Sequence, residues 1–249
     1  MSKKSTSIHL FCLALFCLTA CSSSPDSAKM TKLRVERLQR IGKAITDHHE
    51  ERQCFPIERP KLKPTKDGKP PVIKFHLSWR VYILPYLGEE ALFKKFRLDE
   101  PWDGPNNIKL LAQMPEVFKD PVNKEEATKT RVIHVSGKET MHRYPYGMRN
   151  RDLTDGTLNT IYAIFAAPEF ATEWTKPDNF PNDAKASLKY FQGSKGSKFF
   201  FIVAEGSAGA VDREYPAEEF HKLNTPHWAD PPSDEHKRIL FKKDEIKKR

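Results

Sequence analysis

Trp79-Arg80 lies in the apolar run LSWRVYILPYL, residues 77–87. A guanidinium in such a run, once buried, needs a carboxylate partner, because an unpaired buried charge is strongly destabilising. Asp99, Glu100 and Asp103 stand in the next loop, LDEPWDGPNN, residues 98–107. The sequence therefore predicts a structural ion pair from Arg80 to one of these acids, with a ligand-binding arginine as the alternative. The loop's three acids are hard oxygen donors of the kind calcium takes. The D-x-D-x-D-G spacing is absent, however, and Pro101 and Pro105 stiffen the path. The loop reads as a stiff turn in which Trp102 fills a gap and Asp99 or Asp103 faces Arg80 or a turn amide. Trp79, Arg80, Asp99, Trp102 and Asp103 are the candidate ligand-binding residues.

The histidines and the cysteines offer less. His48-His49-Glu50 closes a helical stretch. Adjacent helical residues point about 100° apart, so the two rings are poorly placed to share an ion. They suit the C-terminal end of a helix, where a cation is favourable. His134 and His142 flank a loop and could pair with each other or with Asp152, but no spacing fixes them. His221, His227 and His236 lie in the polar C-terminal region. Cys54 would need His48 or His49 to act as a nucleophile; next to Phe55-Pro56 it reads as a partly buried apolar residue. No G-x-S-x-G, P-loop, H-E-x-x-H or dinucleotide fingerprint occurs. No catalytic residue, metal or cofactor is expected, and a hydrolase is the least favoured reading.

The N-terminus, MSKKSTSIHLFCLALFCLTAC, carries the plainest signal. Lys3 and Lys4 precede an apolar stretch from Ile8 to Leu18, shorter than the ~20 residues that a spanning helix needs. That is the anatomy of a secretory signal. Leu18-Thr19-Ala20-Cys21 resembles the lipobox of bacterial lipoproteins. The resemblance implies that Cys21 is acylated and becomes the first residue after cleavage. Each buried acyl methylene contributes about 0.8 kcal/mol, so several chains make a firm anchor. Residues 1–20 are then a lipoprotein signal peptide and 21–29 a polar tether. Cys12 and Cys17 leave with the signal, and Cys54 has no intrachain disulfide partner. The expected location is the cell envelope, facing the periplasm or on the cell surface. Ser22 is not the aspartate associated with inner-membrane retention, which weakly favours the outer membrane.

The elements that must position these residues follow from periodicity. Leu38, Ile41, Ile45 and His48 recur at helical spacing, with Lys32, Arg34, Glu36, Arg37, Arg40, Lys43 and Asp47 on the other face. A helix is predicted over 27–52, ended by Phe55-Pro56. Residues 57–75 read as a Pro/Lys-rich loop with a turn at Lys66–Lys69. The run from Leu77 is a strand or a buried helix, and 89–96 and 107–114 are short helices. Residues 130–135, 160–166 and 198–204 are strands, with turns at Asp155-Gly156 and Glu205-Gly206-Ser207. The stretch 168–181 is irregular, and residues 223–249 form a polar basic tail. One helix followed by short antiparallel strands is an α+β pattern. The formal charge of +9 is scattered or clustered at Lys61–Lys69 and in the tail, with no basic helix or aromatic-basic pattern, so nucleic acid is not an expected partner.

Four segments together resemble a known family: LQRIGKAITDHHEERQCFP (38–56), LSWRVYILPYLGEEALFKKFRLDEPWDGPNN (77–107), DGTLNTIYAIFAAPEFATEWTKPDN (155–179) and FFFIVAEGSAGAV (199–211). The chain resembles the planctomycete family called domain of unknown function 1559, which is related to type II secretion pseudopilins. The WR-x4-PYL core with LDEPWD is the specific part. The resemblance implies a pilin-like α+β fold over residues 30–222, a long N-terminal helix packed on an antiparallel β-sheet. Most relatives carry a prepilin-type membrane helix where this chain has a lipobox, so surface tethering rather than filament assembly is implied. The family's closing His-x9-Asp-Gly is replaced by Lys195 and Glu205-Gly206, and its glutamate after DGT-x-NT by Phe165. The function expected is therefore a lipid-anchored, non-enzymatic interaction or structural module with an envelope protein or polysaccharide as partner. The alternative is a solute-binding lipoprotein, with carbohydrate as its candidate ligand, that stacks the ligand on Trp79, Trp102 and Trp174.

Overall fold

The computed structural model describes residues 25–58, 60–63, 72–75, 77–122, 127–134, 140–142, 147–178, 198–212 and 222–225. The fold is α+β. Helix α1 spans Pro25–Arg52, beginning inside the stretch expected as a tether. Its 28 residues extend about 42 Å. Leu38, Ile41, Ala44, Ile45 and His48 form its buried stripe. It ends because Gln53 takes the left-handed conformation, φ 58°, with its N–H bonded to the His49 carbonyl at 2.8 Å. The stop falls three residues before Pro56.

Next comes a hairpin, β1 (Pro60–Lys63) against β2 (Val72–Phe75), antiparallel with Pro60 opposite Phe75. This corrects the loop expected over 57–75: the prolines hid two four-residue strands, too short for periodicity to reveal. The expected turn at Lys66–Lys69 lies outside the described residues. The apolar run is helical. Ser78 caps helix α2 (Trp79–Tyr82) by accepting the Arg80 N–H at 3.3 Å. A 3-10 turn follows over Leu84–Leu87, closed by Gly88 at φ 82°. Helix α3 is short, Glu90–Phe93.

Strands β3 (Lys129–Thr130) and β6 (Thr172–Glu173) form a two-stranded pair. The main sheet runs β4 (Val132–Ile133), β5 (Ile161–Phe165), β7 (Lys198–Val203), β8 (Ala208–Asp212), antiparallel throughout. Phe200 and Ile202 of β7 face the core that holds α1 and α2. Phe199, Phe201 and Val203 face a second core with Ile133, Ile164, Val211 and Leu223. The sheet is covered on both faces, which is why β5 and β7 read as near-continuous apolar runs. A register shift between Ile161 and Ala163 places Tyr162 and Ala163 together on the α1 side.

Helix and sheet meet at two glycines. A Cβ on Gly42 would lie 1.9 Å from the Gly206 carbonyl oxygen, and one on Gly206 would lie 2.8 Å from that of Gly42. Gly206 also stands at φ 91° in the β7–β8 turn, so the glycine of the Glu205-Gly206-Ser207 signal serves both the turn and the contact. Gly42→Ala should therefore lower stability by about 1–3 kcal/mol, although alanine is the better helix former. Urea denaturation checks this; an unchanged or raised midpoint would mean that the backbones are not in close contact.

Candidate functional site

Arg80 is completely buried, and each of its five N–H groups has an acceptor. Nε donates to the Trp174 carbonyl at 2.8 Å. Nη1 donates to the Val132 carbonyl at 2.9 Å and to Asp178 Oδ2 at 2.7 Å. Nη2 donates to the Lys176 carbonyl at 2.9 Å and to Asp178 Oδ1 at 2.8 Å. The fork-to-fork pairing with Asp178 is the geometry for which arginine is suited and lysine is not. The expected ion pair exists, but its partner is Asp178 rather than Asp99, Glu100 or Asp103.

Asp178 is the hub of a wider buried polar centre. Its Oδ2 also accepts from Trp79 Nε1 and from the His134 N–H, each at 3.1 Å. Its own N–H donates to Glu58 Oε1 at 3.3 Å. Glu58 and His134 are 0% exposed and His142 1%. The two imidazoles stack, with centroids 3.7 Å apart and planes 11° from parallel. His142 Nε2 lies 2.9 Å from the Tyr162 carbonyl oxygen, which makes Nε2 the protonated nitrogen when the ring is neutral. His134 Nε2 lies 3.4 Å from Glu58 Oε2 and its Nδ1 3.9 Å from Asp178 Oδ2. Burial, then the neighbouring His142 and Arg80, hold His134 well below the ordinary imidazole value. Burial pushes His142 down to about 4, against the opposing pull of the Tyr162 carbonyl and Asp178. Both rings are therefore neutral at pH 7, and the His134–Glu58 contact is not an ion pair.

Of the residues expected at a ligand site, Trp79 and Arg80 are wholly interior. Asp99 and Asp103 are exposed, and Trp102 is half-buried against the core with the Lys176 ammonium 5.5 Å from its ring centre. Trp174 is also wholly buried, its indole N–H on the Leu111 carbonyl at 3.0 Å. No two of the three tryptophans thus offer a shared stacking face.

The loop 98–107 is held by different residues from those expected. Glu100 accepts the N–H of Asn106 at 2.6 Å and that of Asn107 at 3.1 Å on Oε1, and Asn106 Nδ2 at 2.6 Å on Oε2. Buried Asn107 bonds the Arg97, Glu100 and Pro101 carbonyls and the Arg97 N–H. A Cβ on Gly104 would lie 2.4 Å from the Glu100 side chain. The acid, both asparagines and the glycine are all used in closing the turn.

These two features, the Trp79-Arg80 centre and the closed loop, lie in the part of the chain that the comparison with known families matches: residues 35–121, to SBP_bac_10, described as Protein of unknown function (DUF1559). The match covers about a third of the chain, so it gives a likeness of this segment to the DUF1559 family. No curated protein and no solved structure matches the chain. The DUF1559 segment contributes Glu58, Trp79 and Arg80 to the buried centre; His134, His142 and Asp178 come from beyond it.

A second charge cluster ties the DUF1559 segment to the sheet. Asp120 accepts from Arg34 Nη2 at 3.2 Å, Arg131 Nη1 at 2.6 Å and the Val122 N–H at 3.0 Å. The Arg34 and Arg131 guanidiniums lie 5.0 and 4.4 Å from the centre of the Phe165 ring. Desolvation alone would raise the Asp120 carboxyl, but the Val122 amide and the two arginines outweigh it and hold it below its ordinary 3.8. Glu205 accepts the Ser207 hydroxyl at 2.6 Å, and Lys195 lies outside the described residues.

Sequence reasoning missed Glu58 and Asp178. The one available signal was the demand of a buried arginine for an acid, and it pointed to the wrong segment. His134 and His142 do meet each other, as one of the open pairings had it. Cys54 is half-buried; His48 Nδ1 lies 3.1 Å from the Cys54 carbonyl oxygen, and His49 Nε2 accepts the Asn150 N–H at 3.3 Å.

Arg80→Lys should cost about 3 kcal/mol or more, because one ammonium cannot replace five donors in a dry site; equal unfolding midpoints for the two proteins would refute that. Asp120 has a depressed folded value, so its contribution is full above the ordinary carboxylate range and is lost as pH falls through the folded value. Asp120→Asn should thus be less stable than the native chain at pH 7, with the gap narrowing below about pH 4. A gap independent of pH would assign the loss to packing instead.

Proposed function

We propose that the chain is a lipid-anchored protein of the cell envelope whose α+β domain serves as an interaction or structural module. The observation that carries this is the sequence at Cys21: a basic n-region, a short apolar core and Leu18-Thr19-Ala20-Cys21 in register. Only Ser22, Ser23 and Ser24 separate Cys21 from the start of α1 at Pro25. A lipid on Cys21 would then hold the first turn of the helix within about 14 Å of the membrane. Among the described residues no helix is long and apolar enough to cross a membrane. A non-enzymatic role is supported by the internal use of the polar groups, since Arg80, Asp178 and Glu58 bond one another and the backbone.

Metabolic labelling with an alkynyl fatty acid tests the anchor. The native chain should incorporate label and partition with membranes, whereas Cys21→Ser should do neither. Equal labelling of the two would remove the proposal.

A further inference from the structure

We propose that Glu58, His134 and His142 form a buried site for one small divalent cation of the zinc type. No metal is expected from the sequence at these residues, and the inference does not depend on the anchor. Three observations carry it. One donor atom from each residue lies within 4.8 Å of the others, and all three residues are buried. Neither ring nitrogen of His134 makes a hydrogen bond, and neither does Nδ1 of His142; buried polar atoms without partners are rare and call for an unseen water or ion. Finally, His134 Nε2 and Glu58 Oε2 stand 3.4 Å apart. That is long for a hydrogen bond to a carboxylate, yet two donors about 2.1 Å from one ion at the tetrahedral angle are separated by about 3.4 Å.

The surroundings suit the assignment. His142 offers Nδ1 because Nε2 faces the Tyr162 carbonyl, the arrangement by which a backbone oxygen orients a metal-binding imidazole. Two nitrogens and one carboxylate oxygen favour zinc or a late first-row metal over calcium or magnesium. Parallel rings cannot both aim in-plane lone pairs at one ion, so binding must tilt one imidazole out of the stack. His134 is the ring that no side-chain hydrogen bond restrains. Because the site is closed, the ion would be taken up with folding and would stabilise the folded chain.

The full chain, purified in detergent and stripped with a chelator, should retain one equivalent of zinc from ZnCl2 and unfold at a higher temperature with it. His142→Asn and Glu58→Gln should each weaken retention at least about tenfold, while Cys54→Ser should retain zinc as the native chain does. Zinc-edge X-ray absorption of the native chain gives a second reading that needs no variant: only nitrogen and oxygen neighbours, with outer scattering from two imidazoles. Substoichiometric zinc, sulfur neighbours, or equal retention by folded His142→Asn would overturn the proposal and leave the pair as a stacked core element.

Discussion

A guanidinium cut off from water must find an acceptor for each of its N–H groups, and Arg80 finds them on two stretches of chain distant from its own helix. Its own helix α2, the carbonyl of Val132 in β4 and the segment Trp174–Asp178 after β6 are all fixed by this one side chain. Two of these stretches also belong to neighbouring β-pairings. A shift of either strand would therefore break the arginine's bonds as well as the ladder. The pair with Asp178 has no exposure at all, so its attraction is offset by a large desolvation cost. Its effect is better understood as selectivity: few alternative packings could satisfy five donors at once.

The long helix is held at two places by different physics. At Gly42 the contact is steric, backbone against backbone at Gly206. Near Arg34 and Arg37 it is electrostatic. Arg34 reaches Asp120, while Arg37 reaches Glu116 Oε1 at 2.6 Å and the Lys119 carbonyl at 2.7 Å. The apolar stripe would permit some sliding on its own, because apolar contacts are not directional. Together the two contacts fix the helix in register, and an anchor near its start would then orient the whole domain relative to a membrane.

The sequence could be read where a signal is local and repeated. Leu38, Ile41 and Ile45 marked α1 by their spacing, and the alternation hidden in FFFIV emerged as two faces of β7 with a core on each. Reading failed where a signal is short or distant. The hairpin β1–β2 has too few residues per strand for a period to show. Arg80 announced its need for a carboxylate, but Asp178 is 98 positions away, and no local rule reaches that far. In the loop 98–107 the acids were noticed and the wrong ones favoured: Asp99 and Asp103 face water, whereas Glu100 has the backbone amides of Asn106 and Asn107 within reach. The turn, not the composition, decided which carboxylate was used.

Phe165 shows how an apolar ring can lie beneath two cations. The two guanidiniums of Arg34 and Arg131 converge on its ring. An aromatic face attracts such cations, but it contributes less than a formal charge and cannot neutralise two of them. The neutralising carboxylate here is Asp120, which bonds both arginines from a separate loop. The cluster can therefore keep its two cations with an apolar ring beneath them, because the acid has to be near the arginines and need not come from strand β5. It also follows that Phe165 and Asp120 are coupled: removal of the Asp120 charge would leave two guanidiniums over a ring that is insufficient by itself to hold them.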